Sequence, residues 1–244
     1  MPEGPSLVLF KEALLHFKGK KVIRADGYAK IDMDRLYGQK ITDIRTWGKH
    51  LLICFKDFTV QIHFLLFGSF RIDETKKINP KLHLHFAGTD LYFYMTSVHL
   101  LEGRPADHYD FRSDLLGESW DAKVAAEQLK ASPDTLLCDI LLDQQVFAGS
   151  GNIVKNEALF RAKLHPLNKT GDVPAAKRTA LVKAVHGFTR DFLKWKRSNQ
   201  LDAHLQVYEQ QECPRCHIPL HKKTLGKTKR PTYYCNNCQV NHSA

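Results

Sequence analysis

Apolar residues recur at helical spacing between Ser6 and Phe17, at Leu7, Phe10, Leu14, Leu15 and Phe17, and Gly19 ends the run. The chain is therefore expected to open with an amphipathic helix. From residue 21 to about 94 the period shortens to that of strands. Short runs rich in β-branched and aromatic residues fall at 21–25, 40–46, 51–55, 59–64, 69–72, 81–86 and 91–94, with turn-prone pieces such as Lys56-Asp57 and Ala87-Gly88-Thr89-Asp90 between them. This spacing predicts a β-sandwich or barrel. A polar, irregular stretch covers 102–119, after which helices are expected at 120–129, 136–143, 152–162 and 175–195. The segment from about 210 is too short and polar for a core of its own. The expected domains are 1–118 (β-sandwich with a leading helix), 119–209 (helical) and 210–244, in an α+β multi-domain chain.

With 244 residues and 43% hydrophobic content the chain can bury a substantial core. No run of eighteen apolar residues and no charged-then-apolar leader is present, so a chain that neither spans a membrane nor is secreted is expected. The formal charge of +10 points to a polyanionic partner. Nucleic acid is the first candidate and an anionic membrane surface the second. Cys54 and Cys138 lie in apolar runs and read as small buried hydrophobes rather than nucleophiles.

The remaining cysteines carry more information. Cys213-x-x-Cys216 and Cys235-x-x-Cys238, separated by eighteen residues, have the spacing of a four-thiolate structural zinc site, one ion per chain, with no position left open for catalysis. Between Cys213 and the end of the sequence stand six Lys/Arg and no Asp or Glu. A β-hairpin there would offer Lys227, Lys229 and Arg230 to phosphates, or form a basic surface facing water. Ala148-Gly149-Ser150-Gly151-Asn152 precedes an apolar-patterned helix. It is either a plain turn or a site where backbone N–H groups approach phosphate, with Asn152 capping the helix or turned to DNA. Lys49 in Trp47-Gly48-Lys49-His50 is a solvated strand-edge lysine unless the fold carries it towards the N-terminus. Leu65-Leu66-Phe67-Gly68 reads as core or, at a loop tip, as a wedge that unstacks bases. At the N-terminus, trimming of Met1 would leave Pro2 with a free secondary amine. That amine could form a cationic imine with an aldehyde carbon, with Glu3 as acid or base; the alternative is an inert extended lead-in.

Taken together and in this order, Pro2-Glu3, the glycine-lysine strand, the Gly149-Ser150-Gly151-Asn152 junction and the four-cysteine finger resemble the formamidopyrimidine-DNA glycosylase/endonuclease VIII family. The stretch from Leu141-Leu142-Asp143-Gln144 through Gly151-Asn152-Ile153 and Glu157-Ala158-Leu159-Phe160 to Leu164-His165-Pro166 carries the likeness most specifically. The resemblance implies a β-sandwich, a helix-two-turn-helix domain and a zinc finger in a bifunctional glycosylase and abasic-site lyase. It implies Pro2 as nucleophile at C1′, Glu3 as proton carrier, Lys49 as the essential lysine, and Asn152 and Arg230 as grips on the flanking phosphates. Leu65, Leu66 and Phe67 match the contiguous wedge of the endonuclease VIII branch, which favours oxidised pyrimidines as substrates and β- or β,δ-elimination as the cut. Ser6 departs from the family's second glutamate, Val154 from a common tyrosine, and Gln210-Gln211-Glu212 makes a short linker. The expected partner is double-stranded DNA with a damaged base or abasic site, met by a monomer in a bacterial-type cytoplasm at the nucleoid, with no membrane. The competing class is a non-catalytic zinc-ribbon protein that binds damaged or branched DNA.

Overall fold

The computed structural model describes residues 2–243. The chain forms two compact units, Met1–Asp110 and Phe111–Ala244. Among the described residues no helix is long and apolar enough to cross a membrane.

The first unit opens with helix α1, Gly4–Leu14, which continues as a single 3-10 turn, Leu15–Phe17. Pro5 sits in its first turn, where a missing N–H costs nothing. Leu7, Leu14 and Phe17 are fully buried as the period requires, whereas Leu15 lies on the exposed side. Six antiparallel strands follow: β1 (Arg24–Asp26), β2 (Asp43–Trp47), β3 (His50–Cys54), β4 (Phe58–Ile72), β5 (Leu82–Phe86) and β6 (Thr89–Glu102). Their order in the sheet is β1-β5-β6-β4-β3-β2. The runs expected at 59–64 and 69–72 are therefore one long strand. The run expected at 91–94 extends to Glu102, because Thr96 to Leu101 continue to pair with β4.

These two long strands run through both parts of the six-stranded sheet. The C-terminal part of β4 and the N-terminal part of β6 lie beside β5 and β1, and the opposite parts lie beside β3 and β2. The pairing shifts register between Phe64 and Ser69. A single core holds the inward side chains of both parts, Leu51, Ile53, Val60, Ile62 and Phe64 together with Leu82, Leu84, Leu91 and Phe93, and Leu7, Leu14 and Phe17 of α1 close it. This is the sandwich that the short period predicted.

The second unit is helical, with α2 (Ala122–Ala131), α3 (Leu137–Ile140), α4 (Asn152–Ala162) and α5 (Ala175–Arg197) around a core of Leu137, Leu159, Leu181, Val185 and Phe188. Asp121 caps α2 by accepting from the Lys123 amide at 2.8 Å. The C-terminal segment adds the hairpin β7 (His221–Leu225) and β8 (Arg230–Tyr234). It packs on the helices through Phe160, Val207 and Tyr233.

Candidate active site and nucleic-acid interface

In the first unit, half-buried Pro2 precedes Glu3, which takes the extended N-cap conformation of α1 (φ −101°, ψ 173°) and is 4% exposed. The Glu3 carbonyl starts the helix by accepting from the Ser6 amide at 2.8 Å, and Ser6 is itself buried. Met1 lies outside the described residues. Helix α1 packs against β2 and β3. The turn that joins these strands is Gly48-Lys49, with Trp47 paired to His50, and Gly48 has the positive φ (+53°) that a two-residue hairpin of the II′ kind needs at its first position. Lys49 is thus a buried turn residue, 9% exposed, rather than a solvated strand-edge lysine. It heads a face of aromatic and polar side chains. Trp47 stacks on Tyr109, and His50 Nδ1 lies 3.2 Å from both Gln61 Nε2 and the Tyr109 hydroxyl. Burial pushes His50 down to about 4, with the neighbouring His63, His99 and Lys49 adding to the effect. His63 is lowered by burial and by Lys49. The face therefore keeps its imidazoles uncharged beside the lysine.

Leu65, Leu66 and Phe67 occupy the break in the β4–β6 pairing and are 45%, 59% and 70% exposed, which overturns the core reading of this stretch. Met95, opposite them on β6, has φ +51° and is also exposed. Gly68 closes the break. A Cβ there would come within 2.9 Å of the Leu65 nitrogen, the Met95 oxygen and the Phe64 Cα, so only glycine lets the strands approach this closely.

In the second unit the Gly149–Gly151 turn is clipped by Gln144. Its Nε2 donates to the Ser150 and Leu142 carbonyls at 3.0 and 2.8 Å, and its Oε1 accepts from the Gly149 amide at 3.0 Å. Gly151 holds the N-cap position of α4. Asn152 therefore does not cap the helix as one expectation had it. Its Nδ2 donates to the Pro231 carbonyl at 3.0 Å, which joins the start of α4 to the start of β8, next to exposed Arg230.

Three further residues of α4 lay outside the sequence expectations. Lys155, Asn156 and Glu157 are fully buried although the helix read as apolar-patterned. Lys155 Nζ donates to Thr232 Oγ1 at 2.9 Å and to the Pro231 carbonyl at 3.3 Å. Asn156 Oδ1 accepts from the Tyr233 amide at 2.7 Å. The Glu157 carboxylate accepts from the amides of Gln206, Val207 and Tyr208 at 2.8–3.1 Å, fixing the segment that leads into the hairpin. At the far end of the hairpin, Asp139 of α3 accepts from the Lys227 and Thr228 amides at 3.0 and 3.3 Å. The sequence signal for all four was a polar side chain inside a helix, which ordinarily means a solvated face. Val154 is fully buried in the helical core.

The sulfurs of Cys213, Cys216, Cys235 and Cys238 all lie within 4.8 Å of one another, with Cys213–Cys238 at 3.7 Å, Cys216–Cys235 at 3.5 Å and Cys216–Cys238 at 3.6 Å. Four metal–sulfur bonds of about 2.3 Å in a tetrahedron give edges of about 3.8 Å, so the set fits a single metal ion. Cys54 and Cys138 are apart from it. Burial pushes each thiol up to about 11, the inert behaviour expected of them.

The chain matches two family models, the formamidopyrimidine-DNA glycosylase N-terminal domain over residues 1–98 and the formamidopyrimidine-DNA glycosylase H2TH domain over residues 113–199. It is 31% identical to endonuclease 8-like 3 of Mus musculus across 83% of this chain and 35% of that protein. It is 30% identical to the DNA-(apurinic or apyrimidinic site) lyase Nei2 of Mycolicibacterium smegmatis across 98% and 99% of the two chains. The chain spans between about a third and three-fifths of the length of the endonuclease 8-like relatives. In fold it is similar to the crystal structure of Lactococcus lactis formamidopyrimidine-DNA glycosylase bound non-covalently to DNA containing an abasic site, with a TM-score of 0.85 and 24% identity over 98% of this chain and all of that one. With both family domains in order along the chain and a 30%-identical relative matched from end to end, the protein belongs to the formamidopyrimidine-DNA glycosylase/endonuclease VIII family.

Proposed function

We propose that the chain is a base-excision repair enzyme that releases a damaged base from double-stranded DNA and cuts the strand at the resulting abasic site, through an imine on the Pro2 amine. The observation that carries this reading is the position of Pro2 and Glu3 at the N-terminus of α1, packed on the hairpin whose turn carries buried Lys49. Removal of Met1 frees a secondary amine. With a pKa of about 8 it is partly uncharged at neutral pH. The amine attacks C1′, the bond from C1′ to the base breaks, and the base departs with a proton. The C1′–O4′ bond then opens, O4′ takes a proton, and a cationic imine remains. Loss of a C2′ proton expels the 3′ phosphate by breaking the C3′–O bond. A second elimination can release the 5′ phosphate, and water returns Pro2 as the free amine.

Glu3 is the group assigned to move these protons, and Lys49 the cation that meets the phosphate. Asn152 and Arg230 grip the phosphates flanking the extruded nucleotide, and Leu65, Leu66 and Phe67 fill the space that it leaves. Their exposure supports a contiguous wedge, and with it a preference for oxidised pyrimidines. Ser6 stands where a second carboxylate is expected, and its loss bears more on base release than on strand cleavage, which rests chiefly on Pro2. One Zn²⁺ per chain, held by the four cysteines, supports the hairpin; its role is structural. The enzyme acts as a monomer on nucleoid DNA in a bacterial-type cytoplasm.

Borohydride trapping tests the reading. With an abasic-site duplex, the wild-type chain is expected to become covalently linked to DNA and Pro2→Gly to lose most of that product. No adduct from a chain whose Met1 is demonstrably removed would leave a DNA-binding protein without this chemistry.

A further inference from the structure

Strand β5 carries two histidines on one face, His83 and His85, because side chains two residues apart on a strand point the same way. The flanking strands set a carboxylate opposite each. Asp26 of β1 is the register partner of His83, and Asp90 of β6 is the register partner of His85. The two imidazole rings lie 3.6 Å apart between centroids, and the Tyr92 ring covers His83 at 4.0 Å. Each imidazole spans both carboxylates. Towards Asp26, His83 Nδ1 is 3.1 Å from Oδ1 and His85 Nε2 is 3.0 Å from Oδ2. Towards Asp90, His83 Nε2 and His85 Nδ1 meet the same Oδ1 at 3.2 and 2.8 Å.

We propose that Asp26, His83 and His85 form a binding site for a divalent transition-metal ion, distinct from the four-cysteine cluster, with Asp90 holding both imidazoles from their far side. The three donor atoms lie within 4.8 Å of one another. A tetrahedron built on metal–nitrogen and metal–oxygen bonds of about 2.0–2.2 Å has edges of about 3.4 Å, close to the 3.1 and 3.0 Å that separate the two imidazole nitrogens from the Asp26 carboxylate oxygens. Two imidazoles and a carboxylate suit Zn²⁺, Co²⁺, Ni²⁺ or Fe²⁺ better than the hard cations Mg²⁺ and Ca²⁺.

Asp90 lies on the far side of both rings. Metal-bound histidines characteristically give their other ring N–H to a carboxylate, which sets the tautomer and aims the remaining lone pair. Asp90 Oδ1 lies 3.2 Å from His83 Nε2 and 2.8 Å from His85 Nδ1, placed to take the far N–H of each ring when the near nitrogens bind an ion. Arg24 also bonds Asp26 Oδ2, at 2.7 Å, from an exposed position. Asp26 and His85 are partly exposed, so an ion can enter from solvent. Bound there it would tie the three-residue edge strand β1 to β5.

Cobalt binding to the full chain tests the site. The cysteine cluster reports itself through intense thiolate-to-cobalt absorption in the near ultraviolet, which a nitrogen and oxygen site lacks. Equilibrium dialysis of the wild-type chain against micromolar Co²⁺, with metal counted by mass spectrometry, should give one equivalent beyond those accounted for by the thiolate band. The double variant His83→Ala/His85→Ala should lose that equivalent and keep the thiolate band. Asp26→Asn should weaken the extra site at least tenfold, and Asp90→Asn by about 10–100-fold. A wild-type chain that binds no cobalt beyond the thiolate-bound ion overturns the proposal, as does a folded double variant that keeps the extra equivalent. If the variants fail to fold, the wild-type count decides alone.

Discussion

The side-chain amide of Asn152 donates to the main-chain carbonyl of Pro231 at 3.0 Å, and the residue before that carbonyl is Arg230. The start of α4 and the start of β8 are thereby one rigid corner, reinforced by Lys155 and Asn156 on the next two residues of the strand. Neither side of the corner can move without the other. If the corner grips phosphate, its two polar residues act differently. Arg230→Ala removes a charge, so affinity for an abasic-site duplex should fall and the slope of log affinity against log salt should lose about 1. Asn152→Ala should lower affinity and leave the slope unchanged, because no ion pair is lost. Fluorescence anisotropy over a salt series separates the two, and an unchanged slope in Arg230→Ala would remove that residue from the phosphate contacts.

Glu157 is a stability determinant of the second unit. Its carboxylate is fully buried and accepts from three successive amides, Gln206, Val207 and Tyr208. Glu157→Gln keeps the shape but turns an N–H₂ group towards those donors. Hydrogen bonds to a charged acceptor are worth about 1.5–3 kcal/mol each, and stranding a buried donor costs about 1–3 kcal/mol, so a loss of about 2–4 kcal/mol is expected. Urea denaturation followed by circular dichroism measures it. A loss below about 1 kcal/mol would mean that the 206–208 segment is held mainly by its apolar contacts.

How much of this was legible in the sequence depended on how far apart the partners lie. Helix α4 is found at 152–162, where its pattern placed it, because both its start and its period are local. The four cysteines are likewise fixed by two short spacings, and they meet as expected. The exposure of Leu65, Leu66 and Phe67 could not be read locally, since an apolar triplet ending a strand pattern is core unless the pairing breaks, and the break is made with β6. Lys155, Asn156 and Glu157 were hidden for the same reason. Their partners come from 206–208 and 231–233, so nothing near them in the sequence marks them as buried. The merging of two expected strands into β4 also follows from pairing with β6, which carries the chain through the bulge.

Gly68 and Leu66 make opposite predictions at this bulge. A methyl group at Gly68 meets three backbone atoms at 2.9 Å, none of which can rotate away. Gly68→Ala should therefore destabilise the first unit by about 1–3 kcal/mol, the range for overpacking a tight site. Leu66 is 59% exposed, so Leu66→Ala should change stability by less than about 0.5 kcal/mol. If Leu66 is a wedge, the same change should slow excision from duplex much more than from single-stranded DNA. Equal slowing on both substrates would refute that role.

His50 makes the stability of the first unit dependent on pH. Its Nδ1 lies 3.2 Å from the Gln61 amide and the Tyr109 hydroxyl, and burial, with His63, His99 and Lys49 close by, lowers it from 6.5 to about 4. Above pH 6.5 the ring is neutral whether the chain is folded or not, and it contributes no pH dependence. Between pH 6.5 and 4 the unfolded chain takes up the proton and the folded chain does not, so stability falls as pH falls. Below about pH 4 both states are protonated and the loss is complete, at about 3 kcal/mol for this group. His50→Asn should remove this component, so the difference in stability between wild type and variant should change by about 2–3 kcal/mol between pH 7.5 and pH 4.5, measured by urea denaturation at each pH. Comparing the two chains cancels the acid sensitivity of the cysteine cluster and most of that of His63, which burial and Lys49 also lower. The imidazole resonances of His50 give the direct test. A midpoint near 4 is expected, and one near 6.5 would mean that the ring is open to water and that it takes up a proton beside Lys49 as readily as a free imidazole.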